Sequence, residues 1–131
     1  MDCPECGAPM VDFAIPPDLR EAAPSGSEAA AICTQCLQLF PVEEGSTDPD
    51  FSKIIEAFPD AAEGGLPMAL AVGLLVESLA LNRQTVASLL ERVIDANADP
   101  WLVLERLSVS PTVQPDADIE RASRQLEQLL G

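Results

Sequence analysis

The sequence predicts an α+β protein in which an N-terminal three-stranded zinc ribbon, residues 1–45, precedes a small α-helical bundle, residues 46–131. Three observations carry this. Two Cys-x-x-Cys pairs, Cys3-Pro4-Glu5-Cys6 and Cys33-Thr34-Gln35-Cys36, stand 26 residues apart among short β-patterned segments. From Phe51 onward the apolar residues recur at helical spacing. A length of 131 residues suits one ordinary domain, or a small metal module joined to a modest helical one.

The ribbon is read from Met10 to Ile15, Ala29 to Ile32 and Leu37 to Val42, with Pro16, Pro17, Pro24, Ser25 and Gly26 punctuating the first connection. About 40 residues of ribbon bury too little surface to fold alone, so a metal ion must supply part of the folding free energy. A Cys-x-x-Cys turn brings two sulfurs to one ion, and two such turns complete a tetrahedral shell. Cys3, Cys6, Cys33 and Cys36 are therefore the candidate ligands of one Zn²⁺. Four thiolates leave no open position for water, so the ion is expected to be structural. A dithiol redox centre is the chemical alternative, but it normally follows a buried strand, and Cys3 has no strand before it. Met1-Asp2-Cys3 opens the chain without a leader pattern, so reduced thiols and a cytoplasmic location are expected.

After a polar linker, Glu43 to Asp48, Asp48 and Pro49 read as an N-cap and first helical residue. Phe51, Ile54, Ile55 and Phe58 then fall on one helical face, and Pro59 ends the segment. A second helix is expected over Leu66 to Leu81. Its unbroken apolar stretch, Gly64 to Val76, is 13 residues, short of the roughly 18 needed to span a membrane. That composition fits the central helix of a bundle, with Gly73 allowing a neighbour to approach closely. A third helix runs from near Asn82 to near Asn97 on Val86, Leu89, Leu90, Val93 and Ile94. Asp99-Pro100 repeats the cap-and-proline device before Trp101, Leu104 and Leu107, and Ile119, Ala122, Leu126, Leu129 and Leu130 mark a terminal helix. Trp101 can be a core anchor or a partner contact, and burial of so large a ring favours the core. Arg83, Arg92, Arg106, Arg121 and Arg124 lie among glutamates, where local ion pairs are the default.

Composition narrows the function. Twenty-two acids against seven bases give a formal charge of -15, which opposes binding through phosphate neutralisation or to an acidic membrane surface. With 47% hydrophobic residues the chain is too apolar for a disordered acidic tail. No histidine is present, and no nucleophile-base arrangement or phosphate loop appears, so no enzymatic activity is expected. The hairpin around Pro100 resembles a helix-turn-helix only in spacing, because Trp101-Leu102-Val103-Leu104-Glu105 lacks the basic and amide side chains of a recognition helix. The acids are spread from Asp2 to Glu127 and Lys53 is the sole lysine. This pattern suits an interior at molar salt, where the Debye length of about 3 Å screens self-repulsion. The melting temperature is accordingly expected to fall when KCl is lowered from molar to dilute; a temperature independent of salt would remove the halophilic reading.

Cys3-Pro4-Glu5-Cys6-Gly7 resembles the Cys-Pro-x-Cys-Gly signature of small acidic zinc-finger proteins of haloarchaea. Ser78-Leu79-Ala80-Leu81-Asn82-Arg83 and Gln125-Leu126-Glu127-Gln128-Leu129-Leu130 resemble a haloarchaeal family known only as a domain of unknown function. That resemblance implies only the four cysteines as site residues, and no activity follows from it. The expected function is a cytoplasmic, non-enzymatic protein-interaction or regulatory module that binds another protein, with self-association open. A nucleic-acid-associated regulator and a dithiol redox protein are the alternatives.

Overall fold

A computed structural model describes residues 2–115 and 117–130. Three antiparallel strands, β1 (Met10–Ala14), β2 (Ala29–Cys33) and β3 (Leu39–Pro41), form a sheet in the order β1-β2-β3. The register pairs Met10 with Cys33 and Ile32 with Leu39, so both cysteine pairs emerge at one end of the sheet. Strand β1 alternates, with Val11 and Phe13 turned inward. Strand β2, Ala-Ala-Ala-Ile-Cys, is buried at every position, as a central strand covered on both faces must be. The fold is α+β, with the sheet first and the helices after it.

The polar stretch after β3 is packed onto the sheet. Ala14 N–H donates to the Ser46 carbonyl at 2.9 Å, and Ser46 N–H donates to Asp12 Oδ2 at 3.0 Å, so this segment satisfies the outer edge of β1. Gly45 crosses directly over the Phe13 carbonyl. A Cβ there would overlap that carbonyl and lie 2.6 Å from the Ala14 nitrogen. Both are backbone atoms of a hydrogen-bonded strand and cannot rotate away. Gly45→Ala is therefore expected to cost about 1–3 kcal/mol in chemical denaturation; a change near zero would show that the segment is not seated on β1.

Between Pro49 and Pro59 the expected helix is absent. Only one 3-10 turn forms, Phe51–Lys53, and Asp50 rather than Asp48 caps it, accepting from Ser52 N–H. So short a segment nucleates a helix poorly, and aromatic packing decides its path instead. Phe51 packs edge-on against Phe13 at 5.3 Å and lies 5.7 Å from Phe58. Phe51, Ile54 and Phe58 are all buried, so the pattern that suggested a helical face did identify the core contacts.

The two helices expected from Leu66 to Asn97 form one helical run, α1 (Ala62–Asp95), interrupted at Ser78. Ser78 takes extended backbone angles, φ -171° and ψ 105°. Its hydroxyl accepts from Leu81 N–H at 3.3 Å, as an N-cap does, and Asn82 Nδ2 donates to the Leu74 carbonyl at 3.1 Å across the break. The division thus falls at Ser78, ahead of the expected boundary at Leu81 and Asn82, because the serine caps the new start and Asn82 satisfies the old end. Asn97, with φ 64°, follows the C-terminus, and Ala98 N–H returns to the Val93 carbonyl at 3.1 Å.

Two shorter helices complete the chain, α2 (Pro100–Val109) and α3 (Ile119–Leu130). Asp99 caps α2 as expected, accepting from Trp101 and Leu102 N–H. Helix α1 contacts both α2 and α3, and also β3 and the turn Pro17–Ala22. One apolar core joins Phe13, Ile15 and Ile32 to Met68, Leu70, Leu90, Leu104 and Leu126. Helix α1 is long and apolar enough to cross a membrane by length and composition, yet 56% of its most apolar window is buried within the protein, including Met68 to Val72. At Gly73 the close neighbour is the Leu39 side chain. Trp101 is half-buried against the core. The ion pairs expected within the helices for Arg83, Arg92, Arg106, Arg121 and Arg124 do not form among the described residues; Arg92 instead meets Asp18 at 2.6 Å, tying α1 to the β1–β2 connection, and holds that carboxyl below its ordinary range.

Candidate metal centre

Each cysteine pair occupies a tight turn at the same end of the sheet. The first is closed by Gly7 N–H donating to the Cys3 carbonyl at 2.9 Å, and by pairing of Asp2 with Pro9. The second is the β2–β3 hairpin itself, where Leu37 N–H donates to the Cys33 carbonyl at 3.2 Å. In both, the residue after the second cysteine has positive φ: Gly7 at 79° and Leu37 at 65°. Glycine meets this requirement freely. Leucine does so at a conformational cost, offset by complete burial of its side chain. Around Gly7 an added Cβ would meet nothing within 4 Å, so Gly7→Ala isolates the conformational term. Its expected cost is about 1–2 kcal/mol, read from the denaturation midpoint of the metal-loaded protein; no change would contradict the positive φ.

The four sulfurs lie within 4.8 Å of one another. Cys3 Sγ is 3.7 Å from Cys36 Sγ, and Cys6 Sγ is 3.3 Å from Cys33 Sγ. Thiolates about 2.3 Å from a tetrahedral zinc ion are about 3.8 Å apart, so the cluster has the right scale to close on one ion. All four cysteines are free of disulfides. Backbone donors point at the sulfurs: Glu5 N–H to Cys3 at 3.4 Å, and Gln35 and Cys36 N–H to Cys33 at 3.3 and 3.4 Å. These bonds favour the charged thiolate.

Electrostatics divides the ligands. Burial opposes ionisation of Cys3, but N–H donors from Cys6 and Glu5 and the neighbouring thiols outweigh it and lower the group to about 7. Burial pushes Cys33 and Cys36 up. Several anions this close together require a cation to hold them. Cys3 and Cys33 are buried, Cys36 is half-buried and Cys6 is exposed, so the centre sits at the surface with one side open to solvent.

The second turn also reaches the helices. Gln114 N–H donates to the carbonyl of Gln35, between the two ligand cysteines, at 2.7 Å, and the two glutamine side chains meet at 3.4 Å. No sequence pattern marks this contact. Gln35 and Gln114 lie far apart in the chain, and neither carries a pattern that marks a partner.

A family model matches residues 2–130. The chain belongs to DUF6276, a family of unknown function. Comparison with curated proteins and with solved structures yields no match. In this DUF6276 chain the four sequence-predicted cysteines are brought together and positioned to bind a metal ion.

Proposed function

We propose that this DUF6276 chain is a non-enzymatic, cytoplasmic protein-interaction or regulatory module whose ribbon is held by a structural zinc ion on Cys3, Cys6, Cys33 and Cys36. The observation that carries the reading is the convergence of four sulfurs, and of no other donor among the described residues, on one centre. A soft, all-thiolate tetrahedral set suits zinc, and its closed shell leaves no position at which water or substrate would be activated. The resemblance of Cys3 to Gly7 to haloarchaeal zinc-finger proteins, and the charge of -15, support the same assignment in a high-salt interior. That charge also argues against nucleic acid as the partner.

Elemental analysis of purified protein should return one zinc per chain. Metal-free protein with four titratable thiols and reversible two-electron oxidation would instead establish a dithiol redox protein. The interaction role is tested by affinity purification of the tagged chain from cells lysed in molar salt, beside Cys33→Ser. A protein partner retained only by the intact chain supports the reading, whereas recovered nucleic acid overturns it.

A further inference from the structure

The outer face of α2 carries an apolar ridge that the core does not use. Leu102 is 41% and Val109 72% exposed, and their helical spacing places them on one face. Two clefts flank this ridge. One, of about 730 Å³, lies against Ile54 and Ile55. The other, of about 500 Å³, lies between α2 and α3, with half-buried Trp101 in its wall beside Leu102 and Val109. Its rim carries Asp99, Glu105, Glu120 and Glu127 against a single base, Arg124.

We propose that the ridge of Leu102 and Val109, with the cleft between α2 and α3, is the docking surface for a basic amphipathic helical segment of a partner protein. Apolar side chains at helical spacing would cover the ridge, while Lys or Arg beside them would meet the carboxylate rim. The rim selects the charge and the ridge supplies the area. A second copy is disfavoured, because docking ridge to ridge would press two carboxylate rims into direct contact, at separations that the screening length of about 3 Å in molar salt does not cover. An anionic lipid surface is disfavoured on the same ground. This assignment rests on the interaction-module reading and names its surface.

Trp101 is the sole tryptophan and lines the cleft, so its fluorescence reports occupancy. The zinc-loaded full chain, in salt at which it melts cooperatively, is titrated with a helical peptide of Leu and Lys at amphipathic spacing and with its Leu and Glu counterpart. The expected result is a saturable emission shift with the lysine peptide alone. Leu102→Asp with Val109→Asp should weaken binding at least about tenfold, and Leu81→Asp, at a leucine 87% exposed on α1, should leave it unchanged. Both altered residues of the double variant are exposed, and its melting temperature checks that it folds.

Equal binding of the lysine peptide to the double variant would reduce the effect to diffuse charge and overturn the proposal. So would equal binding of the glutamate peptide, or a self-association dispersed by the double variant, which would assign the ridge to a second copy. If the double variant retains in affinity purification the protein partner held by the native chain, this surface is wrong while the interaction-module reading stands.

Discussion

Cys33→Ser, or removal of the metal by a chelator, is expected to unfold the ribbon and destabilise the helices with it. Cys33 is fully buried at the end of β2, pairs with Met10, and receives two backbone donors on its sulfur. Structural zinc contributes about 10–16 kcal/mol to the folding of small metal modules, as much as the whole stability of a typical domain, about 5–15 kcal/mol. Because the sheet and the helices share Phe13, Ile32 and Leu70 in one core, the loss cannot stay local. The Gln114 amide, bonded to the Gln35 carbonyl, should lose its protection from hydrogen exchange when the metal leaves. Circular dichroism melts and exchange at Gln114, with and without chelator, check this; identical curves would refute a structural role. Acidification should act as the chelator does. Binding requires thiolates, so the metal's contribution is present at higher pH and lost as pH falls.

Phe13→Ala is expected to cost about 3–5 kcal/mol and lower the melting temperature by roughly 10–20 °C. Phe13 is fully buried, and its ring meets Phe51 edge-on at the junction between the sheet and the segment leading to α1. Truncation removes the aromatic contact and leaves a cavity that the hydrogen-bonded strand β1 cannot collapse to fill. Calorimetry of the metal-loaded variant measures the effect separately from the metal. A loss below about 1 kcal/mol would mean that the two halves do not depend on this contact.

The cysteine centre was legible because its signal is local: each pair fits one tight turn, and matching chemistry at two turns implies a shared ion. The strands and α2 were legible for the same reason, through short β-patterned segments punctuated by Pro16, Pro17, Pro24 and Gly26 and the cap at Asp99. Elsewhere in the chain, distant contacts override local preference. Phe51 to Phe58 has helical spacing, yet its rings are placed by Phe13, and the chain turns instead of coiling. Glu43 to Asp48 reads as a linker on composition, yet Asp12 and Ala14 bond it to β1. Asp18 is the partner of Arg92, 74 residues away in sequence, which no helical spacing could indicate.

The sequence by itself determined the four cysteines that cluster, the order of sheet before helices and the apolar faces, because cysteine spacing, capping residues and periodicity act within a few residues. Tertiary structure alone decided that the linker closes a sheet edge, that the metal turn is bonded to the α2–α3 loop through Gln35 and Gln114, and that Leu102 and Val109 remain outside the core. Those outcomes depend on which surfaces meet across the fold, and burial is a property of the assembled chain.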